Sequence, residues 1–243
     1  VVGDDKIIAI AAASPLAQFR WDDRGPAPIG YIKGMALVFA TVLRKLNAND
    51  PAAKEMAMRN TGDDIHDAFA YYNDEFRRVA MGDGPEVGEV DRLRHLFVLL
   101  IGLGMRESSG KFCAGRDQKA SNTDAGTAEA GLFQVSFNAC RANPLLKMLF
   151  EQFSTNPSGF KETFQEGVVC RAGDLENFGT GSGREFQRLT KEPPLFAAEF
   201  AAVALRHVRK QWGPIERKEV QIVAECDRML LAIQNAVNAP AVA

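Results

Sequence analysis

LFVLLIGLGMRESSG, residues 96–110, decides how this chain is read. No residue from Leu96 to Met105 carries a charge, and the run closes on Arg106, Glu107, two serines and a glycine. Helical spacing of apolar residues begins upstream near Glu89 and turns apolar on every side after Leu96, the pattern of a helix enclosed by other helices. A helix over residues 89–106 is therefore expected at the centre of the fold. A carboxylate at the C-terminal end of such a helix is partly desolvated and lies near the negative end of the helix dipole, and both effects disfavour its charge. Glu107 is thus a candidate general acid, because a carboxyl group protonated near neutral pH can hand a proton to a leaving-group oxygen. The plainer alternative is a helix-end Glu that points into water or pairs with Arg106 or Arg116.

Working outward, Ile32, Met35, Ala36, Phe39, Val42, Leu43 and Leu46 recur at helical spacing with Lys33, Arg44 and Lys45 on the other face. A second amphipathic helix is expected over 65–80, behind the acidic start Asp63-Asp64, with Met81-Gly-Asp-Gly-Pro85 ending it. Residues 108–138 are rich in Gly, Ser, Asp, Asn and Thr, interrupted by Gly131-Leu-Phe-Gln-Val-Ser136, so loops and a short hairpin are expected there. Helical pattern resumes over 144–153, 159–168, 193–211 and 214–237, with Trp212-Gly213 as a break. The fold class is mainly α with a small β-hairpin. Residues 1–88 read as an N-terminal arm and helical extension packed on the main domain, with the arm before Ile29 loosely attached, and residues 89–243 read as the catalytic domain.

Composition narrows the chemistry. With 243 residues, 46% hydrophobic and 25% charged, the chain can bury a real core. The net charge is −2 and the basic residues are scattered, so no nucleic-acid partner is expected. No apolar run is long enough to span a membrane. The first residue is Val, which fits a processed or trimmed chain from which any secretory signal has been removed. Cys113, Cys140, Cys170 and Cys226 fit two disulfides in a periplasmic or secreted protein, with buried free thiols as the alternative. They lack zinc or redox spacing, metal motifs are absent, and no cofactor is expected. His66, His95 and His207 lie in expected helices without triad spacing and read as structural. The run Gly179-Thr-Gly-Ser-Gly183 lacks the lysine of a phosphate loop and reads as a flexible loop. Phe112, Phe133, Phe137, Phe178 and Phe186 are platforms for sugar rings or simply core.

Glu107-Ser108-Ser109 followed by Gly131-Leu132-Phe133-Gln134 resembles the Glu-Ser and Gly-Leu-Met-Gln motifs of soluble lytic transglycosylase domains and goose-type lysozymes, of the lysozyme superfamily. Glu176-Asn177-Phe178-Gly179-Thr180-Gly181 is similar to the family's Tyr-Asn-Ala-Gly-x-Gly motif, with Glu176 in place of the Tyr. The resemblance spans roughly residues 90–210. It implies a lysozyme-like fold and a glycan polymer as substrate, peptidoglycan or a chitin- or chitosan-like chain. Glu107 is implied as catalytic acid, with Ser108, Gln134 and Asn177 against the sugar. A lytic transglycosylase works with one acid, whereas a hydrolase needs a second carboxylate. Glu129 is the first choice for it, beside the strand that carries Gln134; Asp117 is second, and Asp124, in the turn-like Asn122-Thr-Asp-Ala-Gly126, is third and otherwise a substrate contact. Each is alternatively a solvated loop acid or a turn residue bonding its own backbone. A glycan-binding protein without turnover is the remaining alternative, and the oligomeric state is left open.

Overall fold

The apolar run lies within the helix Glu89–Ser108, and every residue from Arg92 to Met105 is buried, as a helix apolar on all sides requires. A computed structural model describes residues 2–60, 62–81, 84–117 and 124–239. Residues 82–83 of the stretch expected to end the second helix, and 122–123 of the expected Asp124 turn, lie outside the described residues.

In chain order the elements are α1 (Asp4–Ala13), β1 (Arg20–Trp21), β2 (Gly25–Pro26), α2 (Ile29–Asn47), α3 (Pro51–Met56), α4 (Ala68–Tyr71), α5 (Asn73–Arg78) and α6 (Glu89–Ser108). They continue with α7 (Pro144–Thr155), α8 (Lys161–Gln165), α9 (Ala172–Leu175), α10 (Gly181–Leu189), α11 (Pro194–Leu205), α12 (Gly213–Glu216) and α13 (Ala224–Asn238). The protein is mainly helical with one small antiparallel hairpin, β1 against β2, in which Arg20 pairs with Pro26 and Trp21 with Gly25.

Two helices form the centre. Alongside α6, every residue of α11 is buried, including Glu199, whose carboxylate takes both its bonds from Lys45 of α2. Burial raises the Glu199 pKa and the Lys45 charge opposes that rise. Around them α2 packs on α1, α6, α8, α11 and α13. Glycines on α2 and α6 set the spacing: a Cβ on Gly34 would overlap the Phe164 ring, and one on Gly104 would overlap the Tyr31 hydroxyl. That hydroxyl donates to Ile101 O at 2.8 Å, so α2 reaches into the last turns of α6.

Five expectations need correction. The hairpin expected at residues 131–136 is reduced to a single antiparallel bridge, Ala130 with Val135, around a tight turn. The hairpin that does form lies in the N-terminal segment, and that segment is not loosely attached: Ile7, Ala11, Leu16 and Trp21 are all buried in the common core. Residues 181–183 are not a flexible loop but the first turn of α10, where Gly183 is bare because a Cβ would strike the backbone of Ala125. The expected helix over 65–80 is broken at Tyr72 into α4 and α5. The last expected helix is broken too, between α12 and α13.

Candidate active site

Helix α6 ends where Ser109 enters the left-handed region at φ +55°, and Gly110 follows at φ +74°. Ser109 N–H donates to Met105 O, and Gly110 N–H to Gly104 O, so the chain turns away from the helix with its last carbonyls bonded. The Ser108 hydroxyl also donates to Gly104 O at 3.0 Å, a bond within the helix. Glu107 is left half-buried on the final turn.

Three segments are bonded to one another next to this helix end. Segment 111–117 runs on from the helix and is fixed by the Cys113–Cys170 disulfide, with Cα atoms 6.0 Å apart, and by the Lys111–Asp174 ion pair. It supplies two carbonyls: Ala114 O accepts from Gly131 N at 2.8 Å, and Gly115 O from Gln134 Nε2 at 3.3 Å. Segment 129–136 carries Glu129, and its turn is tight. Gly131 has φ +78° and a Cβ there would come within 2.6 Å of Thr190 O, while Gln134 itself holds φ +44°. The third is the break between α11 and α12, where Trp212 Nε1 donates to Phe133 O at 2.6 Å and Gln211 Nε2 donates to Glu129 Oε1 at 3.0 Å.

The electrostatics separate the two glutamates. Burial, and after it the charge of Glu129, push the Glu107 carboxyl up to about 7 against the pull of Arg24, Arg217 and Arg106. Neither arginine expected to pair with it does so: Arg106 bonds Glu219 at 3.2 Å, and Arg116 lies over the Phe178 ring at 4.5 Å. Among the described residues the Glu107 carboxylate has no hydrogen-bond donor, whereas Glu129 has Gln211. Burial raises Glu129 too, the Gln211 bond lowers it, and the Asp117 charge raises it. Of the two carboxyl groups, Glu107 is therefore the one more strongly raised, and the Gln211 bond opposes the rise at Glu129 alone.

The charge of Glu129 thus acts on Glu107 and that of Asp117 on Glu129, while Gln134 is bonded into the turn that follows Glu129. The structure does not bring Asp124 or Asn177 to these residues. Asp124 Oδ1 accepts from Gly126 N and Thr127 N, a turn residue bonding its own backbone. Asn177 lines a separate cavity of about 260 Å³ with Phe112, Lys191 and the bridged Cys170. A further cavity, about 660 Å³, lies between residues 124–126 and 178–183 and includes neither glutamate. Sequence reasoning missed Gln211 and Trp212, which it took only as a helix break, and Arg24, which no local pattern connects to Glu107. Of the cysteines, Cys113 and Cys170 are bridged while Cys140 and Cys226 are free, so the expectation of two disulfides is corrected to one. Phe112, Phe133 and Phe186 are buried core residues rather than sugar platforms. Among the described residues no group of His, Cys, Asp or Glu is placed to hold a metal, and no helix is long and apolar enough to cross a membrane.

No protein family, no curated protein and no solved structure matches the chain. The labels lysozyme, glycosidase and peptidoglycan that the sequence resemblance brought with it are corrected accordingly: no match carries them. A mainly helical domain with one disulfide stands.

Proposed function

We propose that the protein cleaves the glycosidic linkage between amino sugars, with Glu107 as general acid. The observation that carries this reading is the placement of Glu107 at the end of a buried helix beside the carboxylate of Glu129, with Gln211 bonded to Glu129 alone. A proton-holding carboxyl next to an ionised one is the division of labour that acid-catalysed cleavage of an acetal needs. The likeness of Glu107-Ser108 and Gly131–Gln134 to lytic transglycosylase motifs supports the same substrate class. Gln134, which bonds the Gly115 and Gly131 carbonyls, holds the turn that follows Glu129 and leaves its amide oxygen for the sugar.

The neighbouring Glu129 favours hydrolysis with a second carboxylate over ring closure by the substrate's own hydroxyl. The charge of Asp117 acts on Glu129. Product analysis on N-acetylglucosamine polymers, with and without N-acetylmuramic acid, tests both points. Reducing ends are expected, and anhydro ends would assign the chemistry to Glu107 alone. Glu107→Gln should lower turnover on the order of a hundredfold to ten-thousandfold while the chain still binds the polymer. Wild-type protein that binds the polymer without cleaving it would make this a glycan-binding protein.

A further inference from the structure

Besides Glu129, three arginines act on Glu107 through their charge: Arg24 from the β1–β2 turn, Arg217 from the residues after α12, and Arg106 from α6 itself. None of them bonds it among the described residues, because each guanidinium is engaged elsewhere. Arg217 donates from Nε to Glu219 Oε1 at 2.7 Å and from Nη2 to Glu219 Oε2 at 3.0 Å. Arg106 Nη2 donates to the same Oε2 at 3.2 Å, and Arg106 also lies 3.9 Å from Asp23. Arg24 Nη2 donates to Arg106 O at 2.8 Å. One carboxylate, Glu219, thus takes three charge-assisted bonds from two arginines, in the two-pronged geometry that suits a guanidinium in the case of Arg217.

The backbone on either side fixes Glu219 where it stands. Its N–H donates to Pro214 O at 2.9 Å, just after Lys218 at φ +54°. The next residue, Val220, is buried and gives its N–H to the Tyr72 hydroxyl at 3.3 Å. Gln221 O then packs on α6 at Gly102, where a Cβ would come within 2.6 Å of it. Above all the Arg217 bond, helped by that of Arg106 against the cost of burial, holds the Glu219 carboxyl down to about 2. Glu219 is therefore an anion over the whole range in which Glu107 titrates. In turn Glu219 is the main cause that raises Arg217, with smaller contributions from Glu107 and Glu216. A partly exposed ion pair of this kind contributes little to stability. Its effect on a neighbouring proton is larger, since a guanidinium close to a carboxyl lowers its pKa by roughly 1 to 3.

We propose that Glu219 is a positioning residue for the proposed acid: it holds the guanidiniums of Arg106 and Arg217 to itself, so that the Glu107 carboxyl bonds neither and can carry a proton. The inference rests on the reading of Glu107 as general acid. Burial alone would not suffice for that role, because Arg106 precedes Glu107 in the chain and either arginine, once released and unneutralised, would favour the ionised carboxylate.

Two substitutions with opposite expected signs provide the test. Glu219→Gln keeps the shape and removes the charge, and should move the basic limb of the kcat/KM profile, which reports Glu107 in the free chain, down by about one pH unit or more. Arg217→Gln, at an exposed side chain, should move the same limb up, because it removes a positive charge and leaves Glu219 less neutralised. Glu219→Asp keeps the charge and should leave the limb nearer its wild-type place than Gln does. A limb that Glu219→Gln leaves in place, or that both substitutions move in one direction, overturns the proposal, and lost stability with an unmoved limb would make Glu219 an ordinary structural ion pair. Should Glu219→Gln not fold, the sign of the Arg217→Gln shift decides. Urea unfolding gives a second readout without substrate. The stability that Glu107→Gln gains between pH 4.5 and 8 should be smaller in a chain that also carries Glu219→Gln and larger in one that also carries Arg217→Gln. Equal gains in all three backgrounds overturn the proposal. A chain that cleaves nothing defeats the glycosidic reading, and unfolding then decides the role of Glu219 by itself.

Discussion

Replacing Glu107 by Gln keeps the shape of the side chain and removes its titration, which makes stability against pH a direct measure of how the site is built. Between the ordinary Glu value of 4.5 and the folded value of about 7, the folded chain holds a proton that the unfolded chain has released. Stability contributed by that proton is fully present below pH 4.5 and is lost as pH rises through 7. A difference of this size corresponds to about 3 kcal/mol, and screening where the half-buried group meets solvent brings it toward about 2. Urea unfolding of both proteins at intervals from pH 4.5 to 8 should therefore show the Gln variant gaining on the wild type by about 2 to 3 kcal/mol over that range. Most of the gain should fall between pH 5 and 7. A gap that stays constant over the whole range would mean that Glu107 is an ordinary solvated carboxylate, and the acid role argued from its burial would go with it.

Other perturbations read the parts around it. Gln211→Leu removes the bond that lowers the Glu129 pKa, so, if Glu129 acts as the ionised partner, the acid limb of the pH–rate profile should move upward; an unmoved limb would show that it does not. Gly131→Ala forces a Cβ toward Thr190 O in a left-handed turn and should cost more than about 1 kcal/mol in urea unfolding, with activity lost alongside as Gln134 is displaced. Thiol titration of the unfolded, unreduced chain should find two free cysteines, and the double replacement Cys113→Ser with Cys170→Ser should lower stability by about 4 kcal/mol, from the entropy of a loop spanning 57 residues.

Much of this site was legible in the sequence for a simple reason. An uncharged helix ending on Glu107 requires neighbours on every side, and the burial from Arg92 to Met105 supplies them. Glu129 could be ranked first because it adjoins the Gly131 turn in the chain. The misses have physical causes too. Helix α10 opens on Gly-Ser-Gly, poor helix formers, and exists because Gly183 lets α10 touch the backbone of Ala125, a contact no local pattern encodes. The β1–β2 strands are too short for any alternation to show, although the Asp-Asp-Arg-Gly turn between them, with Asp23 at φ +57° and Gly25 at φ +72°, left a usable signal. Gln211 and Trp212 reach the site only through the return of the chain after α11, a long-range event that spacing does not reveal.

The bare glycines of α6 have a consequence for what the gene can tolerate. Gly102 admits the backbone of Gln221 and Gly104 admits the Tyr31 hydroxyl, so the helix is seated at two fixed points within about a turn and a half of Glu107. Each residue of a helix advances it by about 1.5 Å and turns it by about 100°. One codon gained or lost between Gly104 and Glu107 would therefore swing the carboxyl away from Glu129 while the seats hold the rest of the helix still. One gained or lost earlier would leave Glu107 in place only by unseating both glycines. Point substitutions in this stretch can be graded by size, but changes in length cannot, and natural variation in length should be confined to the loops on either side.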